Sequence, residues 1–150
     1  AGTSSPLTDG AAATLVCSAD YAAKNGLKPM ARIASFAVSG CKPETMGLGP
    51  IFSSRKALSR AGITSQDLSV IEVNEAFATQ SIASLRDLDL DPATVNVDGG
   101  AIAIGHPLGA TGARITGKAA QILQRDGGRY ALSTQCIGGG QGIATVLEAV

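Results

Sequence analysis

The sequence predicts a three-layer α/β domain built on a mixed sheet, and three observations predict it. Short β-rich apolar runs alternate with helix-forming segments along the whole chain, the pattern of folds that place helices on a sheet. The last two β-rich runs are joined only by a glycine-rich turn, too short for the crossover that a parallel pair requires. The 150 residues are 45% hydrophobic and 3% aromatic, enough apolar material for one packed core.

Taken in order, residues 1–10 read as a loop entered from something upstream, since the first residue is Ala1 rather than Met. Residues 11–17 (AAATLVC) form an apolar run compatible with a buried strand, and Ser18 can cap a helix over 19–24 that Asn25-Gly26 stops. A second strand is expected over 31–38 (ARIASFAV), followed by a loop at 46–50 (MGLGP) and a helix over 53–60 ended by Gly62. Residues 68–73 (LSVIEV) read as a strand, and a helix running from Asn74 to about Leu85 follows directly, which puts Asn74 at a strand-to-helix junction. A short strand over 94–97 leads into a glycine-punctuated loop, 98–111, that contains His106, and then into a helix over 112–125. Strands over 130–135 and 143–148 close the chain, with Cys136 at the tip of the turn between them.

Twelve basic and twelve acidic residues cancel, so no overall field favours a nucleic acid or an anionic membrane surface. No stretch approaches the roughly 18–20 apolar residues that span a bilayer, and no signal peptide opens the chain, which reads as soluble. Cys17, Cys41 and Cys136 are odd in number and widely spaced, without metal-site spacing. Reduced thiols in a reducing compartment fit best, the cytoplasm first, with a mitochondrion or peroxisome as alternatives. The glycine-rich stretches contain no G-K-[ST] and no G-x-G-x-x-G directly after a strand, which removes most support for nucleotide hydrolysis and hydride transfer.

Asn74, His106 and Cys136 each follow or adjoin a strand end, where α/β sheets bind ligands. Each also has an ordinary structural reading. His106, the single histidine, is a candidate general base or a structural side chain held between Gly105 and Pro107. Cys136 is a candidate acid or a small buried hydrophobe, and Asn74 a polar site residue or simply a helix N-cap. Ser4, Ser5 and Thr8 read as turn residues, and Glu72, Glu75 and Asp98 have no obvious partners.

Three segments bear on these alternatives together: Asn74-Glu75-Ala76-Phe77-Ala78, then residues 99–114 (GGAIAIGHPLGATGAR), then residues 136–142 (CIGGGQG). In this order and spacing they resemble the three C-terminal active-site motifs of the thiolase family, and the resemblance extends over essentially all of 1–150. It implies one βαβαβαββ half of a thiolase with a mixed five-stranded sheet, forming the C-terminal domain over 1–150. The N-terminal half, with the nucleophilic cysteine and the loop domain that contacts coenzyme A, is then missing from this sequence.

By that resemblance, His106 is the base that activates the nucleophile, and with a water held by Asn74 it forms an oxyanion hole. Cys136 is the second catalytic cysteine, which moves the proton at the acyl α-carbon, and the Gly138 N–H is a donor of the other oxyanion hole. Ser5 corresponds to a contact with the pantetheine arm, and Phe77 to a wall of the acyl pocket. The implied reaction is reversible Claisen condensation and thiolysis of 3-ketoacyl-CoA, with coenzyme A and acyl-CoA as substrates and no metal or covalently bound cofactor. Expected partners are the N-terminal half and, when complete, further copies in a dimer or tetramer. The isolated chain is expected to be inactive and to self-associate through the face that meets the other half. The alternatives are a non-catalytic half acting in binding or assembly, and one chain of a split enzyme.

Overall fold

The computed structural model describes residues 2–150, and its four strands form a single sheet. In chain order the elements are α1 (Ala19–Lys24), β1 (Arg32–Gly40), α2 (Gly49–Ala61), β2 (Leu68–Val73), α3 (Ala78–Asp87), α4 (Ala101–Ile104), α5 (Thr111–Asp126), β3 (Tyr130–Ile137) and β4 (Gln141–Glu148). The sheet order is β1-β4-β3-β2, with β4 antiparallel to both neighbours and β2 parallel to β3. The mixed sheet expected from the short β3–β4 connection is therefore present.

Alternation along the strands sorts the core into two layers. On one side Ala57 and Leu58 of α2 pack against Ala37, Leu132, Ala144 and Val146. On the other, Ala119, Ala120, Ile122 and Leu123 of α5 pack against Val70, Ala131 and Leu147. A third cluster joins Ile51, Ile71 and Val73 to Leu88 and Leu90 beyond α3. Gly49 starts α2 against the first residues of β4, where a Cβ would meet the Gln141 carbonyl oxygen at 2.3 Å. The helix ends at Gly62, whose φ of +70° is the left-handed cap glycine adopts cheaply.

Five expectations are corrected here. Residues 11–17 are not a strand: they are exposed and pair with no other strand, because a strand needs a neighbouring edge and none in this chain reaches them. Residues 94–97 contribute a 3-10 turn (Pro92–Thr94) and one parallel bridge, Ile71 to Val95, before Asn96 turns left-handed with φ +50°. The sheet is accordingly four-stranded rather than five-stranded, with Val95 marking the place of a fifth strand. The helix after β2 starts at Ala78 rather than Asn74, and residues 46–50 are a 3-10 turn running into α2 instead of a loop.

The α5 side of the sheet is only partly covered. Phe36 and Val38 of β1 are 61% and 43% exposed there, and a groove of about 190 Å³ lies beside α5, lined in part by Ile115, Gln135, Ile143 and Thr145. No helix among the described residues is long and apolar enough to cross a membrane.

Candidate active site

The site is assembled at the carboxyl ends of the parallel strands β2 and β3. Asn74 leaves β2 still in the ladder: its N–H donates to the Thr134 carbonyl of β3 at 2.9 Å. Because that backbone stays extended, Asn74 is not the cap of α3, whose N-cap is Phe77 with no side-chain bond. The Asn74 side chain is fully buried and its Nδ2 lies 3.2 Å from His106 Nε2, across 32 residues of sequence.

His106 is delivered by a tightly bound loop. The single turn α4 ends at Gly105, whose φ of +97° and crowding by Thr8, 2.4 Å from any added Cβ, admit only glycine. The Thr8 hydroxyl accepts from the His106 N–H at 3.1 Å and donates to the Pro6 carbonyl at 2.7 Å. Gly10 closes on Pro107, so residues 6–10 brace the histidine loop from outside. Thr8, read from sequence as a turn residue, belongs to the site.

Hydrogen-bond counting fixes the imidazole's tautomer. Thr111, fully buried at the start of α5, lies 2.7 Å from His106 Nδ1 and 3.0 Å from the Pro107 carbonyl oxygen. Asn74 Nδ2 can only donate, so His106 Nε2 accepts and is unprotonated; Nδ1 then carries the ring proton and donates to Thr111 Oγ1, whose own hydroxyl proton goes to the Pro107 carbonyl. Burial, and next the positive charge of Arg114, hold the imidazole below its usual pKa of 6.5, so it is neutral at pH 7. A neutral ring with an unprotonated Nε2 can take a proton, whereas the protonated form could not.

One further atom in the pair is unfilled. Asn74 Oδ1 is buried and has no hydrogen-bond partner. A buried acceptor left open costs about 1–3 kcal/mol, so its presence points toward something that supplies a donor.

Cys136 is the penultimate residue of β3 rather than the tip of the turn, which is formed by Gly138, Gly139 and Gly140. Burial pushes its thiol above the ordinary value, Cys41 adds to this, and a backbone hydrogen bond opposes it. At neutral pH Cys136 carries its proton. Gly138 is exposed, with nothing within 4 Å of the position of a Cβ. Asn74 and His106 are therefore in contact, while Cys136 and Gly138 share their edge of the sheet without a hydrogen bond to either.

Ser5 and Phe77 lie on the same rim. The Ser5 N–H and hydroxyl both reach the Ala76 carbonyl, at 3.1 and 3.4 Å, and Ser4 bridges Phe77, which is 42% exposed. The acids without obvious partners now have surroundings. Asp98 pairs with Lys118 at 2.5 Å and Arg125 at 2.7 Å, and Glu75 binds Asn96 and the Ile102 N–H. Glu72 is 2% exposed, and burial raises its carboxyl to about 7 against the pull of Arg114 and Lys118. Sequence pattern gives Thr111, Asn96 and Glu75 no role of their own, although Glu75 and Thr111 lie within the quoted motifs, because each acts on a residue at least five positions away through a fold-dependent contact.

The family model described as "Thiolase, C-terminal domain" matches residues 27–149. The chain belongs to the thiolase family. It is 55% identical over 148 residues to the acetyl-CoA acetyltransferase of Paracoccus denitrificans, covering 99% of this chain and 38% of that protein. To the human mitochondrial 3-ketoacyl-CoA thiolase it is 49% identical over 149 residues, with the same coverage. Among solved structures, human mitochondrial 3-ketoacyl-CoA thiolase in complex with CoA superposes at 49% identity, covering 88% of this chain and 34% of that one. A further crystal structure of human mitochondrial 3-ketoacyl-CoA thiolase gives a TM-score of 0.86 at 50% identity, covering 89% of this chain and 34% of that one. The Bacillus anthracis acetyl-CoA acetyltransferase gives 0.85 at 42% identity. This thiolase domain thus spans a little over a third of the length of the relatives it matches.

Proposed function

We propose that this thiolase domain supplies the base, the proton donor and two oxyanion-hole groups for reversible thiolysis and Claisen condensation of 3-ketoacyl-CoA. In this reading His106 takes the thiol proton of a nucleophilic cysteine carried outside the chain. The resulting thiolate attacks the 3-keto carbonyl, and the C2–C3 bond breaks to leave an acyl-enzyme and a carbanion on the departing acetyl-CoA. The Cys136 thiol protonates that carbanion, and coenzyme A then takes the acyl group. Condensation runs the same steps backward, with Cys136 as base.

The observation that carries this reading is the Asn74–His106 pair, with Nε2 unprotonated and Asn74 Oδ1 buried and open. A water donating to Oδ1 would present a donor toward a thioester oxygen beside the imidazole, the preorganised electrostatics that acyl chemistry needs. The protonated state of Cys136 suits protonation of a carbanion. The open space at Gly138 leaves room for a carbonyl oxygen to approach its N–H. Ser5 and Phe77 are assigned to the pantetheine arm and the acyl pocket. The exposed Ile104 and Leu108, two residues to either side of His106, extend an apolar rim.

The C-terminal thiolase domain takes in residues 1–150, and part of its opening segment faces the remainder of the polypeptide. Leu15 and Val16 are 73% and 68% exposed in an extended apolar run that lacks a sheet to join. With the uncovered side of β1, this segment is the surface at which an N-terminal half would attach, and through which complete copies or isolated chains would associate. The compartment is a reducing one.

The test is turnover. The 150-residue chain alone should not cleave a 3-ketoacyl-CoA in the presence of coenzyme A, and a polypeptide joining it to a nucleophile-bearing half should. Thiolysis by the isolated chain would overturn the proposed division of labour.

A further inference from the structure

Asn74 and His106 sit on separate segments, and nothing in either residue sets the distance between them. The strand β2 carries one, and the loop after α4 carries the other. A physical link between the two segments is needed, and Glu75 occupies the place where it runs.

The link begins with Asn96. Its side chain stands in for a neighbouring strand: Oδ1 accepts from the Val73 N–H at 2.9 Å and Nδ2 donates to the Val73 carbonyl at 2.8 Å. The second Nδ2 hydrogen goes to Glu75 Oε1 at 3.0 Å. The other carboxylate oxygen, Oε2, accepts from the Ile102 N–H at 3.1 Å, in the first turn of α4. That turn has no side-chain cap of its own, so Glu75 provides the acceptor from another segment. Gly100 lies flat against the carboxylate, since an added Cβ would fall 2.1 Å from its carbon. From α4 the path is short: Gly105 N–H donates to the Ala101 carbonyl at 2.9 Å, and His106 is the next residue.

We propose that Glu75 is a positioning residue whose two carboxylate oxygens, bound to Asn96 and to the Ile102 N–H, set the separation of Asn74 and His106. The chemistry requires a carboxylate. Two donors converge on it, one on each oxygen, and an ionised carboxylate is acceptor-only at both. A glutamine of the same shape offers one acceptor and turns an NH₂ toward the second donor. The catalytic consequence rests on the proposed thiolase reading, whereas the geometric claim stands on the chain alone.

The experiment compares the chain with its Glu75→Gln variant, both labelled with ¹⁵N. His106 is the single histidine, so its ring nitrogens report without assignment. The parent should show one tautomer, with Nδ1 protonated. The variant, with sheet dichroism unchanged, should show a shifted or mixed tautomer, and the Ile102 amide should exchange roughly ten- to a hundredfold faster. In the complete enzyme kcat should fall by up to roughly a hundredfold, with KM changing much less. Ring signals that move in a complete protein without thiolase turnover support the clamp while counting against the proposed function. A folded variant with unchanged ring signals and unchanged Ile102 exchange overturns the proposal. So does a variant in which the whole sheet unfolds, because the carboxylate would then be holding the fold and not the site.

Discussion

The α2 side of the sheet and the carboxyl edge of β2 and β3 draw on the same strands, yet they bury opposite chemistry. On the α2 side Ala37, Leu132, Ala144 and Val146 are at most 1% exposed, and all are apolar. At the edge the buried groups are Glu72, Asn74, Asn96 and Thr111, with the Asn74 oxygen unpaired and the Glu72 carboxyl pushed to about 7. The first region holds the domain together by removing apolar area from water. The second keeps polar atoms out of water at a cost that only a ligand or a reaction step would reward.

The contrast breaks down if the two regions respond alike to substitution. The largest separation should come from His106→Ala in a complete enzyme: turnover should fall by roughly 10²–10⁴-fold, as for loss of a general base. Thermal stability should change by only about 1 kcal/mol, an ordinary point-mutant effect. Near-normal turnover would refute the role of the imidazole. Leu132→Ala should behave in the opposite way, costing about 2–5 kcal/mol in denaturant unfolding, because a fully buried leucine leaves a cavity at the sheet centre. A loss below 1 kcal/mol would mean that this face is not the stabilising one.

A smaller effect sharpens the comparison through pH. Glu72 has a folded pKa raised from 4.5 to about 7, so the fold favours its protonated form. Below pH 4.5 both states are protonated and the group is neutral in effect. Between 4.5 and 7 the unfolded state ionises first, so stability falls as pH rises through that window and stays lowered above it. Glu72→Gln should remove this slope and stabilise the protein above pH 7 by up to about 3 kcal/mol, with no gain below pH 4.5. His106 runs the other way, since its folded pKa is depressed: its contribution is intact above 6.5 and is lost as pH falls below that value. Equal slopes in parent and Glu72→Gln would show that the carboxyl is not buried as described.

Sequence pattern reached some of this and not the rest, for physical reasons. The helices α2 and α5 and the hairpin of β3 and β4 are legible because local periodicity, a cap glycine and a short turn each determine their own element. The loop bearing His106 is legible through its glycines. Residues 11–17 carry the same apolar signal as a strand, but pairing depends on an edge that this chain does not offer. Residues 94–97 lose their strand to one left-handed asparagine whose side chain replaces the missing ladder. Asn74 taken alone reads first as a helix cap, until the Thr134 contact shows its backbone extended. Thr111 and Glu75 are invisible locally, since a hydroxyl five residues on, or a carboxylate 27 residues before its partner, acquires meaning only after folding.

The most direct test of the account is a ¹⁵N NMR titration of the His106 ring in the parent chain. The ring should show a single Nδ1-protonated tautomer at pH 7 and a pKa below 6.5. An Nε2-protonated ring, or a pKa at or above 6.5, would contradict it, because the lone pair facing Asn74 would then be absent when the base is needed.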